Sequence, residues 1–93
     1  MARHGQINVT TASARALPKR DGRKGVILNH ISGGEVTFAW GNGITVTAST
    51  GGIINSTKSG IVLDDGSPMY EEELHMIADE ATVIAFHEIG PVS

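Results

Sequence analysis

The sequence contains no cysteine. That excludes disulfides as a supplement to a small core, and it excludes zinc sites built on thiolates. Aromatic residues are scarce, with one Trp, one Tyr and two Phe in 93 residues. Little aromatic surface is therefore left for stacking sugars or bases. Long apolar runs are missing too. No stretch approaches the roughly 20 residues that span a bilayer. Residues 1–24 are predominantly polar, without the apolar run of a secretory signal. The expectation is a chain made and folded in solution, with no membrane partner. Basic residues nearly vanish after residue 30, where Lys58 stands alone.

Ninety-three residues predict one domain, 1–93. A chain of this length buries roughly 60–65% of the surface that its unfolded form exposes. Its stability is modest, and oligomerisation is the expected supplement. The net charge of −3 hides an asymmetry. Residues 1–30 carry Arg3, Arg15, Lys19, Arg20, Arg23 and Lys24 against Asp21, a balance of +5; residues 31–93 carry Lys58 against nine Asp and Glu, a balance of −8. Either the two regions neutralise each other within the fold, or a basic segment docks on an acidic neighbour or another copy's acidic half. Nucleic acid is the weaker partner, because the basic segment has no aromatic residue and the domain is acidic overall.

Turn signals divide the chain into about seven short strands. Gln6–Thr11 alternates Ile7 and Val9 against polar neighbours, after a loose N-terminal arm at residues 1–5. Thr11–Arg15 is small and polar, and Leu17-Pro18 and Asp21-Gly22 mark a loop. The run Arg23–Gly41 is the most informative. It joins a basic lead-in, a strand over Gly25–Ile31, a Ser32-Gly33-Gly34 turn and a second strand, Glu35–Trp40. In that second strand Val36, Phe38 and Trp40 point one way. Ile44–Ser49 repeats the alternation through Val46; Ile53-Ile54 plugs the core from a loop; Gly60–Leu63 is a short strand. Ser67–Ala81 reads two ways. Ser67-Pro68, Glu71–Glu73 and the spacing of Tyr70, Leu74, Ile77 and Ala81 favour a helix. The alternative is a strand with Leu74, Met76 and Ala78 on one face. Thr82–Ile89 closes the chain as a strand apolar on both faces, hence central. The spacing argues for a single-domain, all-β antiparallel sandwich or small jelly roll. Its expected core includes Val36, Phe38, Trp40, Val46, Ile84 and Phe86.

Catalytic and metal motifs are missing. The four histidines, His4, His30, His75 and His87, show no HExxH spacing and read as satisfied or surface residues. Asp64-Asp65-Gly66 lacks the EF-hand spacing and reads as a turn. Glu71, Glu72 and Glu73 read as a solvated face or an oligomer or acidic interface. There is no G-x-S-x-G and no P-loop. Trp40 with Phe38 reads as a core anchor before a ligand groove. No enzyme activity, metal or cofactor is expected.

The ordered segments carry a family resemblance. They are Ile7-Asn8-Val9-Thr10-Thr11, the basic loop Lys19–Lys24, the strands Val26–Ile31 and Val36–Trp40, Thr45-Val46-Thr47, the turn Leu63–Gly66 and Val83-Ile84-Ala85-Phe86. In size and order they resemble the small β-rich virion proteins of tailed bacteriophages, of the capsid decoration or cement type. The resemblance implies a non-enzymatic structural protein made in the host cytoplasm. It would decorate and stabilise the capsid exterior as a homotrimer on the major capsid protein. A head-fibre base or a host-surface carbohydrate-binding module of the virion is the alternative. On the same analogy Leu74–Ala78 is a strand. Arg3, Arg15, Lys19, Arg20, Arg23 and Lys24 are the expected contacts to an acidic shell.

Overall fold

Alternating sequence becomes strand here wherever a partner strand lies within reach. The computed structural model describes residues 4–47, 51–63 and 68–90. Its strands are β1 (His4–Val9), β2 (Ala14–Leu17), β3 (Gly25–Ser32), β4 (Val36–Trp40), β5 (Gly52–Ile54), β6 (Ile61–Leu63), β7 (Leu74–Ala78) and β8 (Thr82–Ile89). A 3-10 turn, Pro68–Glu71, precedes β7. Two antiparallel four-stranded sheets result, in the orders β1-β8-β3-β6 and β2-β7-β4-β5. The strands pair β4 with β5, β3 with β6, β2 with β7 and β1 with β8. The chain is thus one long antiparallel ribbon, doubled back between β4 and β5 and rolled so that β3 also meets β8 and β4 meets β7. This is the jelly-roll form of the expected all-β sandwich.

The core lies between the sheets. Ile7, Val9, Val26, Leu28 and Ile84 come from one sheet; Leu17, Val36, Phe38, Ile54, Leu74 and Met76 come from the other. Trp40 and Phe86 pack against it half-buried. Val46 is buried as well. At the β3–β4 turn Gly33 has φ 102°, which a side chain resists, and a Cβ there would run into Ala81 and Thr82.

Several expectations are corrected. His4 and Gly5 belong to β1, opposite His87 and Phe86, and not to a loose arm; residues 1–3 lie outside the described residues. Thr10 and Thr11 fall beyond the strand. Ala14–Leu17 is a strand because β7 pairs with it, although nothing in its composition asks for one. Ile44–Thr47 is not a strand: the Val46 N–H bonds the Ser13 hydroxyl at 2.9 Å and no ladder forms. Ala48 and Ser49, and the Asp64-Asp65-Gly66 turn, lie outside the described residues. Ile53-Ile54 is part of β5 and pairs with β4.

The helix signal at Pro68 yields one 3-10 turn, with the Glu72 N–H bonded to the Met69 carbonyl at 3.0 Å. An α-helix would need the Tyr70 and Glu72 carbonyls to accept the N–H groups of Leu74 and Met76. Both carbonyls accept from the Arg23 guanidinium instead. The chain then extends, and Leu74–Ala78 becomes the strand β7, with Leu74, Met76 and Ala78 buried on one face.

Candidate functional site

Polar contacts gather at the end of the sandwich where the basic loop, residues 18–24, meets residues 70–73 and the end of β8. Glu88 has the same strand parity as Thr82, Ile84 and Phe86, so its side chain points between the sheets. It is 1% exposed. Arg23, also 1% exposed, reaches it through Nη1 at 3.3 Å. Backbone carbonyls hold Nε and Nη2. Nε donates to the Tyr70 carbonyl, and Nη2 donates to the carbonyls of Glu72 at 2.6 Å and Pro18 at 3.1 Å. Its carbon lies 5.3 Å from the centre of the Trp40 ring, which meets Tyr70 edge-on at 5.2 Å. Burial pushes the Arg23 pKa below its ordinary value; Glu88 opposes that shift, and Arg20 adds to it. Arg20 Nε lies 3.0 Å from the same Glu88 oxygen, out of line for a hydrogen bond.

Backbone contacts complete this clasp. The Arg20 N–H bonds the Glu71 carbonyl at 2.8 Å, the Gly22 N–H bonds the Glu71 carboxylate at 2.7 Å, and the Lys24 N–H bonds the Ile89 carbonyl at 2.7 Å.

Beside it, Glu73 ties three elements. Its Oε1 accepts from the Gly43 N–H at 2.8 Å and from His75 Nε2 at 3.0 Å; its Oε2 accepts from Arg15 Nη1 at 3.3 Å. Its N–H bonds the Asn42 side chain and its carbonyl takes the Gly41 N–H, so the Gly41–Gly43 turn is held at both ends. The Gly43 N–H foremost, then His75 and Arg15, hold the Glu73 pKa down from 4.5 to about 2; desolvation works the other way.

An open groove of about 630 Å³ runs between β1 and β2. His4, Gln6 and Asn8 line it from one side and Arg15 from the other, and Arg20 and Phe86 also border it.

Comparison with protein-family models, with curated proteins and with solved structures finds no match to this chain. The residues themselves must carry the reading.

The clasp redistributes the expected contact set. Arg23 is buried and is no surface contact. Arg20 is mostly covered and faces Glu88. Arg15 keeps 58% of its side chain exposed while paired with Glu73, and Lys19 and Lys24 are exposed. Arg3 lies outside the described residues. Of the acidic run, Glu71 and Glu73 turn inward to the clasp, and Glu72 contributes its carbonyl to Arg23. The two oppositely charged regions thus meet in part within the fold, through Arg15 with Glu73 and through Arg20 and Arg23 with Glu88.

The histidines are spread over the fold. His4 stacks on His87 at 5.9 Å, His30 donates to the Gly34 carbonyl at 2.8 Å, and His75 serves Glu73. Among the described residues no group of three His, Asp or Glu is placed to hold a metal ion, and no helix is long and apolar enough to cross a membrane. Sequence reasoning missed Glu88. Its signal was there: an acid at an inward position of the largely apolar strand Thr82–Ile89.

Proposed function

We propose that the chain is a non-enzymatic structural protein of a bacteriophage virion, which decorates and stabilises the capsid exterior by docking on the major capsid protein. The observation that carries this reading is the jelly-roll strand order, an architecture at home in viral shell and lectin domains. Fold analogy is joined by the resemblance in size and segment order. The clasp supplies a physical means. It holds loop 18–24 by backbone bonds from residues 20, 22 and 24 and by the buried Arg23. Lys19 and Lys24 stand outward on backbone that is already ordered. Docking such a loop on an acidic shell spends little ordering entropy. Weak contacts repeated over many copies add through avidity.

The test is rebinding of purified protein to capsids that lack it. The reading expects binding and a higher capsid melting temperature. No binding at high protein concentration, or binding without stabilisation, sinks it.

A head-fibre base or carbohydrate-binding module is the second reading, favoured by the β1–β2 groove. Gln6 and Asn8 there carry the amide donors and acceptors that sugar hydroxyls need. A glycan array separates the two readings.

A further inference from the structure

A jelly roll leaves two open edges on each sheet, and here they are not alike. β2 is four residues long, carries Arg15 and breaks register between Arg15 and Leu17. β5 and β6 have three residues each. Shortness, charge and bulges are the usual devices that stop an edge from pairing with another chain. β1 has none of them. It runs six residues, His4–Val9, in unbroken register with β8, and contains no Lys, Arg, Asp, Glu or Pro. At about 3.3 Å per residue it offers roughly 20 Å of edge. Among the described residues β8 lies on one side of it in the sheet order and no strand on the other.

We propose that β1 is a self-association edge, pairing antiparallel with β1 of a second copy about a two-fold axis. The strand is matched to itself. Ile7 and Val9 face the core, whereas His4, Gln6 and Asn8 are exposed. Antiparallel neighbours point to the same face, so odd positions must meet odd and even must meet even. Two registers satisfy this while still pairing five of the six residues. With the axis at Gln6, His4 faces the partner's Asn8. With the axis at Ile7, Gln6 faces the partner's Asn8.

In either register only amides and imidazole meet on the outer face. An amide is both donor and acceptor, so it bonds a copy of itself, which a carboxylate or ammonium cannot do without repulsion. No like formal charges face each other along the strand. The open groove beside β1 leaves its edge accessible to an incoming strand. The contact is narrow, at the weak end of the range for protein pairs, so it forms at high concentration or high local density. It is two-fold, unlike the homotrimer that the resemblance implies, and it needs only the edge, not the shell.

Sedimentation equilibrium over rising protein concentration, to about 1 mM, tests it. The mass is expected to climb from 9.7 kDa toward twice that value. The Q6K/N8K variant sets lysines against lysines, and Q6E/N8E sets acids against acids. Each alone is expected to stay single, with an unchanged far-ultraviolet spectrum and melt, and an equimolar mixture is expected to restore the two-copy mass. Amide exchange in the unmodified protein gives a readout free of substitutions: part of the β1 amides should slow as concentration rises. A mass that stays at one copy throughout, a three-copy mass, charge variants that pair as well as the unmodified chain, or unchanged β1 exchange would each overturn the proposal.

Discussion

Arg23 and Glu88 meet 3.3 Å apart, each 1% exposed, at a point where two sheets would otherwise close over apolar side chains. Taking both charges out of water is costly, and their attraction offsets that cost only when the remaining donors are satisfied. Here three of the four remaining N–H donors bond the carbonyls of Pro18, Tyr70 and Glu72. The pair is therefore an organiser. It stops a helix after one turn, holds the basic loop against the acidic run, and keeps Trp40 under a cation.

Removing Arg23 leaves Glu88 facing Arg20 and takes a donor away from the carbonyls of Pro18, Tyr70 and Glu72. R23M is expected to lose about 3–5 kcal/mol of stability. E88M alone should also destabilise. The double variant R23M/E88M should be more stable than the two separate losses imply, with a coupling of about 1–3 kcal/mol. Urea unfolding of the four proteins measures it. Losses that simply add would mean that the pair does not act as a unit.

Glu73 should set the acid limb of stability. Its folded pKa, about 2, lies below the ordinary 4.5. A depressed carboxylate binds fewer protons folded than unfolded, so its contribution is complete above the unfolded value. It is lost as pH falls from about 4.5 toward about 2. E73Q is expected to flatten the melting temperature against pH across that window. An unchanged slope would show that Gly43, His75 and Arg15 do not hold the carboxylate in solution as they do here.

Much of the fold was legible because it depends on period-two alternation. Ile7 and Val9 in β1 and the strand Val36–Trp40 follow it; Thr82–Ile89 is expected instead from apolar residues on both faces, and Leu74–Ala78 only through the resemblance, since its local signals favour a helix. β2 was not legible, since Ala-Arg-Ala-Leu becomes a strand only through β7. The clasp was legible as charge asymmetry and no further. Apart from the Arg23–Pro18 bond, its contacts reach across 47 or more residues of sequence, and arginine is so seldom buried that composition argues for the surface. The Glu73 cluster is less readable still, since Gly43 and Arg15 lie 30 and 58 residues from it.

Gly52 should not tolerate a side chain. It pairs with Phe38, and a Cβ on Gly52 would collide with the Phe38 ring, which is stiff and buried. G52A is expected to cost about 1–3 kcal/mol by overpacking. F38L in the G52A background should recover part of that loss, because the shorter side chain vacates the space over β5. If G52A is neutral in urea unfolding, the ring does not rest on the glycine.

Lys19 and Lys24 separate docking from folding. Both are exposed, so K19E/K24E is expected to stay within about 0.5 kcal/mol of the parent in stability. R23M, by contrast, removes the clasp that orders the loop. If the loop docks on an acidic shell, K19E/K24E should weaken rebinding to capsids about fourfold or more, on the order of 0.2–1 kcal/mol for each attraction lost and a similar amount for each repulsion gained. The salt dependence of rebinding should flatten as well, because fewer attractive pairs remain to be screened. Glycan binding through the β1–β2 groove would survive the same charge reversal. Rebinding that is unaffected by K19E/K24E at low salt would remove the loop from the interface, even where the capsid is still stabilised.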